Sequence, residues 1–533
     1  MHMNAQLNGR RHLDYIFAQT VARTPDGLAV IFEDQRLTWG EVDAQVSGLA
    51  KSLLALGIQR GDRIGVLSPP RPEYLIAYLA TARIGAILTG FSVQYTAREI
   101  IDYAKLVHPV AMIVVPELGV GAKVGSLCKA LPFVKHRISI GPAPADGLLP
   151  LHELIEQGQA QPDGPMQARA AQLHEDDGAF IVFTGGSTGM PKPALLSHKN
   201  IVTSVIAQNR TLDFRPTDRL MAHLPMNHVS GAVLVTSSAI HGGVTLVMLE
   251  RFHPVKTLEL VAREGVTLLG QVPTMYAMEL MLPNFDSYDL SSLRQVIIAG
   301  APTPEPIMRQ VATMAPRAVH AYGLTEATGM VAYTGPDDGA DVLVHSVGRV
   351  IEEAGVRIVD DAHRPLPANE VGEIALRGDV VMLGYYGHPE ETARQIDEEG
   401  WFYTGDMGKL DERDYLHILG RKKEMYISGG YNVYPLEVEA YMDTHPDVIA
   451  SACIGRPDPV MGEAGVIFVT LKPGAETTRR ELRAHCKQGL ARYKQPRYIY
   501  VVDALPTTAV GKVDKPALAR MIAAEEATSV GER

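Results

Sequence analysis

The sequence predicts an α/β protein in two parts: a large N-terminal domain of layered αβ sheets and a small α+β C-terminal domain. Three observations predict it. At 533 residues the chain is too long for one hydrophobic core. Its first 115 residues alternate strand-like and helix-like segments, and the alternation resumes around 180–360 after a Gly/Pro-rich interval near 141–165. Repeated βαβα order implies sheets layered with helices. Near residue 420 the pattern changes to a compact α+β set of about 110 residues, an ordinary domain size.

The elements follow in order. "LAVIF" and "RLTW" flank Glu33 and Asp34 and read as a hairpin. Thr38 and Glu41 form a capping box that opens a helix through "EVDAQVSGLAKSLLALG". "RIGVL" is a short buried strand, and "EYLIAYLATARIG" has the 3–4 apolar spacing of a helix. Thr96 and Glu99 cap the next helix, and "VAMIVV" is the strand after it. Beyond 420 come helix "LEVEAYMDTH", strands "IASACIG" and "VIFVTL", helix "RRELRAHCKQGLA" and strand "YIYVV". No internal repeat is visible.

Composition narrows the function. With 46% hydrophobic and 21% charged residues the chain is an ordinary globular protein. A net charge of −11 argues against a nucleic-acid binder, which needs a basic footprint. Residues 423–533 hold 14 basic and 14 acidic side chains, so the acidic excess lies in the first 422. Cys128, Cys453 and Cys486 lack metal-ligand spacing and are too few for a disulfide framework. The N-terminus has no apolar core of signal-peptide type, so a cytoplasmic location is expected. Residues 220–249 contain no Asp, Glu, Lys or Arg, but three histidines, Pro225 and a Gly242–Gly243 break argue for a loop, a buried helix, a turn and a strand rather than a membrane span.

The chemistry begins at "FTGGSTGMPKPALLSHKN", residues 183–200. Small residues after an apolar strand expose backbone N–H groups, hydroxyls add donors and Lys192 adds charge, which suits a polyphosphate. The loop fails the Walker template, because Met190-Pro191-Lys192 follows Gly189. Four more stretches complete a series: "AYGLTEATG", "WFYTGD", "GRKKEMYISGGYNVYPLEVE" and "LPTTAVGKVDK". In this order and spacing the chain resembles the adenylate-forming superfamily of acyl- and aryl-CoA synthetases, luciferases and peptide-synthetase adenylation domains, from about Thr38 to Lys515.

The resemblance assigns roles residue by residue. Thr184, Gly185, Gly186, Ser187, Thr188, Gly189 and Lys192 would wrap the β- and γ-phosphates of ATP. Gly185 and Pro193 depart from the family pattern by losing a hydroxyl and an N–H. Tyr322 would stack on the adenine and Gly323 would belong to the ATP site; Thr325 would lie near the α-phosphate and Glu326 would ligate Mg²⁺, both counted among the catalytic residues. Asp406 and Arg421 would hold the ribose, and Gly300, Ala301 and Pro302 would line the adenine and acyl pocket. His228, Val229, Gly231, Gly300 and Met330 would form the acyl end, with His228 counted among the catalytic residues. Lys512 would bind the carboxylate and the α-phosphate. Lys423 matches the hinge about which the C-terminal domain, 423–533, would rotate against 1–422. Rotation would bring Ser428, Gly429, Gly430 and Tyr431 to the acyl-adenylate with coenzyme A.

The resemblance therefore implies an acid–CoA ligase that uses ATP and Mg²⁺. "NHVSG", "AGAP" and "ATGMVAYT" carry no Lys or Arg to pair a second carboxylate, which favours an apolar fatty or aryl monocarboxylic acid. Seven Lys/Arg against Glu481 over 479–497 could hold the phosphates of CoA, with a solvated helix face as the alternative. One alternative function keeps adenylation and loads the pantetheine of a carrier protein; another is a non-catalytic nucleotide sensor, which the presence of Glu326, Asp406 and Lys512 disfavours. Oligomeric state, a homo-oligomer included, and the individual acid stay open.

Overall fold

The strand Leu28–Phe32 turns back on Gln35–Thr38 through Glu33, whose φ is 51°, in the predicted hairpin. In this computed structural model, which describes residues 11–116, 130–141, 147–184, 191–508 and 512–530 (the side chains of 523–530 excepted), both predicted capping boxes are present. Thr38 Oγ1 accepts from Glu41 N while the Glu41 carboxylate accepts from Thr38 N, and Thr96 and Glu99 repeat the pattern. Two further boxes, Ser197 with Asn200 and Thr478 with Glu481, open His198–Leu212 and Arg479–Gly489. Each satisfies amides that a helix start leaves unpaired, at about 1 kcal/mol apiece.

Two large sheets carry the N-terminal part. Among the described residues one has nine strands, with Gln295–Ala299 central between Leu268–Gln271 and Arg317–Leu324, all parallel. The other has eight, running from Gly384–Tyr385 through Lys192–Ser197, Gly178–Thr184 and Ile87–Phe91 to Leu149–Pro150. Buried aromatic side chains such as Trp39, Tyr74, Tyr78 and Phe180 fill the largest core cluster. A four-stranded antiparallel sheet, Ala354–Val359, Gly372–Gly378, Phe402–Leu410 and Leu416–Arg421, leads to the C-terminal part.

The uncharged run 220–249 resolves as a strand ending at Ala222, a π-helical stretch Ser230–Ser237 continuing into Ser238–Gly242, a left-handed turn at Gly243, and the strand Thr245–Met248. The wide helical register displaces main-chain carbonyls from their usual partners. Gln208 Nε2 donates to Leu234 O at 2.6 Å and Asn209 Nδ2 to Ser238 O at 2.9 Å, so neighbouring amides take them up. No described helix is long and apolar enough to cross a membrane.

The C-terminal part is a five-stranded sheet built on Gly462–Leu471, with helices Pro435–Met442 and Arg479–Gly489 on a core of Val438, Met442, Ile467 and Leu482. The closing helix, Lys515–Val530, buries Leu518 and Ile522 against Ala452, Val466 and Phe468. Cys453 and Cys486 are buried and free; Cys128 lies outside the described residues.

Candidate active site

Parallel strands end together at one edge of the nine-stranded sheet, the place where such sheets receive ligands. Ala299 leads there into Gly300, whose φ of 90° lets the chain turn off the strand beside Val272. Tyr322 and Gly323 follow on the next strand, where the register slips by a bulge. A Cβ on Gly323 would lie 1.9 Å from Gly329 O, so only glycine lets the two strands close. Thr325 and Glu326 then form a short 3₁₀ turn, with Thr325 buried.

Asp406 lies on Phe402–Leu410 directly opposite Arg421 on the neighbouring strand. Arg421 Nε reaches Asp406 Oδ1 at 2.6 Å, and Tyr322 Oη donates to Oδ2 at 2.6 Å. Burial pushes the Asp406 carboxyl above its ordinary value, opposed by Arg421, the Tyr322 hydroxyl and Lys512. Tyr322 and Asp406 thus touch each other, a contact the motifs do not announce.

Lys512, from the far end of the chain, is brought to the same place. Burial pushes its ammonium below the ordinary value, with Arg421 adding to the effect and Asp406 and Glu326 opposing it. His228 is pushed down to about 4 by burial, with Lys512 contributing, and is a neutral imidazole near neutral pH. Its Nδ1 lies 3.1 Å from Ser230 Oγ at the start of the π-helical stretch. Lys512, Arg421, Asp406, Glu326 and His228 therefore share one electrostatic neighbourhood.

Glu326 has a partner the sequence does not reveal. Tyr385 Oη donates to Glu326 Oε1 at 3.1 Å and lies 2.6 Å from Gln395. Lys192 lies on the strand that pairs with Gly384–Tyr385, 5.1 Å over the Tyr385 ring, and forms an ion pair with Glu391. Thr184 Oγ1 donates to Lys192 O at 3.4 Å across the neck of the predicted phosphate loop. Gly185, Gly186, Ser187, Thr188 and Gly189 lie outside the described residues.

At the predicted acyl end Val229 is buried, and a Cβ on Gly231 would lie 2.3 Å from Pro225 O. Gly329, at φ 129°, packs against Leu234, and Met330 is half-buried. Ala301 is half-buried and Pro302 exposed.

Lys423 is exposed in the 3₁₀ turn Lys422–Glu424. Its two neighbours face opposite ways. Lys422 Nζ pairs with Asp361 and Glu373 of the N-terminal part, each at 3.0 Å, whereas Glu424 pairs with Lys515 at 2.9 Å. The predicted thiol turn follows, with Gly429 and Gly430 at φ 59° and 85°, Ser428 buried, and Tyr431 exposed and stacked on Tyr493. Gly429 N donates to Met461 O. Among the described residues no hydrogen bond or ring contact joins this turn to Tyr322, Glu326 or Asp406.

Residues 17–386 match the AMP-binding enzyme family, and residues 437–512 match the AMP-binding enzyme C-terminal domain. The chain belongs to the AMP-binding enzyme family. This AMP-binding enzyme is 33% identical over 542 residues to the human mitochondrial medium-chain acyl-CoA ligase ACSF2, covering 96% of the chain and 87% of that relative. It is 34% identical over 515 residues to a methyl-dioxo-octahydroindenyl-propanoyl:CoA ligase of Mycobacterium tuberculosis, covering 96% and 99%. A solved anthranilate–CoA ligase, AuaEII in complex with anthranoyl-AMP, shares its fold with a TM-score of 0.89 at 26% identity, covering 98% of the chain and 99% of that one. In the AMP-binding enzyme the C-terminal match ends at Lys512, the residue delivered to the Asp406–Arg421 pair.

Proposed function

We propose that the chain couples an apolar monocarboxylic acid to coenzyme A in two half-reactions at this site. It is an ATP-dependent acyl-CoA synthetase, and ATP and CoA are its co-substrates. In the first half-reaction a carboxylate oxygen bonds to the α-phosphorus of ATP and the bond to pyrophosphate breaks. In the second, the CoA sulfur bonds to the acyl carbon and AMP leaves.

One observation carries the reading: Lys512 reaches the N-terminal site beside Arg421, Asp406 and Glu326. Charge gathers on phosphoryl oxygens in the first transition state, so preorganised cations lower its energy. Lys512 would hold the acid carboxylate against the α-phosphate, and Thr325 would donate to that phosphate. Asp406 and Arg421 would grip the ribose, Tyr322 with Gly323, Gly300, Ala301 and Pro302 would border the adenine, and Lys192 with 184–189 would bind the outer phosphates.

Glu326 fits a magnesium site. Its carboxylate is held by the Tyr385 hydroxyl, and Mg²⁺ commonly takes one or two carboxylates plus substrate phosphates. The ion would supply charge neutralisation on the phosphate oxygens.

The hinge reading, with a boundary between 1–422 and 423–533, draws support from the ion pairs of Lys422 and Glu424, which face opposite ways on either side of Lys423. Rotation there would withdraw Lys512 and present Ser428, Gly429, Gly430 and Tyr431 to the acyl-adenylate and CoA. The apolar acid is supported by the acyl end: His228 is neutral, and Val229, Gly231, Leu234 and Met330 offer no cation to a second carboxylate.

Pyrophosphate release with Mg-ATP, measured against a panel of monocarboxylic acids with and without CoA, tests the proposal. The expected result is release that depends on the acid and rises strongly with CoA. Acid-dependent release indifferent to CoA would replace CoA with a carrier-protein acceptor.

A further inference from the structure

The loop that carries Lys512 is closed at its neck. Thr508 N donates to Lys512 O at 2.7 Å, Lys512 N to Thr508 Oγ1 at 3.3 Å, and Asp514 N to Pro506 O at 2.8 Å. Thr507 and Val513 pair as an isolated antiparallel bridge. Leu505 and Val513 pack the neck against the apolar cluster of Ala452, Val466 and Phe468, contacts that are themselves non-directional. The helix Lys515–Val530 continues directly from the neck, and Leu518 and Ile522 bury that helix on the sheet. Non-directional apolar packing sets the helix's distance and leaves its rotation loosely specified.

Lys515, three residues after Lys512, supplies directional contacts. Its Nζ lies 2.9 Å from Glu424 and 2.9 Å from Glu439 Oε1. Glu439, on helix Pro435–Met442, is buried, and the same oxygen accepts from Cys453 N at 2.7 Å. The two carboxylates hold the Lys515 ammonium above its ordinary value against the cost of burial. Glu424 directly follows Lys423, while Lys422 on the other side pairs with Asp361 and Glu373. Lys515 therefore ties the catalytic-lysine loop to the first residue beyond the proposed pivot.

We propose that Lys515 is a positioning residue that locks the Lys512 loop to the hinge through Glu424 and Glu439, so that rotation about Lys423 delivers and withdraws Lys512 as part of one rigid body. The inference rests on the reading of Lys512 as the adenylation lysine. Lys515 would touch neither nucleotide nor acid, and would act through the direction it gives Lys512.

The test separates the half-reactions in the full-length enzyme, using acid-dependent ATP–pyrophosphate exchange and CoA acylation from supplied acyl-adenylate. Lys515→Met should lower the kcat of exchange at least about tenfold, as a misplaced catalytic group does, with little change in KM for ATP and acylation within about twofold. Lys515→Arg should restore most of the exchange. Because Lys515→Met leaves Glu439 buried without its cation, the neutral set Lys515→Met with Glu424→Gln and Glu439→Gln is measured beside it. That set should keep the wild-type melting temperature and still lose exchange. Wild-type exchange in the neutral set, or equal loss in both half-reactions, would overturn the inference. Lys512→Ala is the reference: loss of exchange there with none in the Lys515 variants removes Lys515 alone, whereas intact exchange in Lys512→Ala removes both readings.

Discussion

Lys512 has a cost in the folded protein that its proposed role would explain. An ammonium pushed down by burial and by the neighbouring Arg421 would not be selected for stability. Its value would come when a triphosphate and a carboxylate bring negative charge into the same space. Lys512→Ala should therefore lower acid-dependent ATP–pyrophosphate exchange by about 10²–10³ and leave thioester formation from supplied acyl-adenylate near wild type. Equal loss in both half-reactions would contradict that role. Tyr385 gives a second residue-scale expectation, because its hydroxyl holds one oxygen of Glu326. Tyr385→Phe should raise the Mg²⁺ concentration needed for half-maximal exchange by about tenfold or more, as loss of an outer-shell partner commonly does. A magnesium titration of exchange reads it, and an unchanged midpoint would separate Tyr385 from the metal.

The turn Lys422–Glu424 has ion pairs that face opposite ways on either side of Lys423. A proline at that position fixes φ and restricts the residue before it. Lys423→Pro should trap one conformer and depress one half-reaction at least about tenfold relative to the other; a variant with both half-reactions unaffected would remove Lys423 from the mechanism. Much at this scale was legible in the sequence. The Glu33–Asp34 hairpin and the boxes at Thr38 and Thr96 are local chemistry, written within four residues. The ordered motifs marked Tyr322, Glu326, Asp406, Arg421 and Lys512, which the fold gathers from strands, a 3₁₀ turn and a loop far apart in sequence. The partners of those residues were not legible. Tyr385 meets Glu326 across 59 residues of chain, and Tyr322 meets Asp406 across 84. Such pairings depend on strand order and twist, which no local pattern encodes. The closing helix Lys515–Val530 also escaped: among its described side chains the buried apolar anchors are Leu518 and Ile522, too few to mark a helical stripe.

Across the whole molecule, buried titratable groups set how stability responds to pH. His12, His223, His228 and His241 are each pushed down to about 4 by burial. Unfolded, each binds its proton near 6.5, so between pH 6.5 and about 4 the unfolded chain holds more protons and stability falls with falling pH. Glu279 and Asp443 act in the opposite sense. Burial pushes both up to about 8, so the folded protein keeps protons the unfolded chain has lost, and stability falls as pH rises toward 8. Burial pushes His198 and His320 down as well, so between 4.5 and 6.5 the buried histidines outnumber the raised carboxyls Glu279, Asp443 and Asp406, and stability rises with pH there. Above 6.5 the histidines no longer contribute, and Glu279 and Asp443 lower stability as pH rises. Stability should therefore peak near pH 6.5 and decline on both sides, as read by urea midpoints from pH 4.5 to 9. Glu279 accepts from Gln271 Nε2 at 2.7 Å, and an amide in its place keeps an acceptor there. Glu279→Gln should flatten the alkaline limb by about half while leaving the acid limb in place; an unchanged alkaline limb would show that Glu279 is ionised in the folded protein.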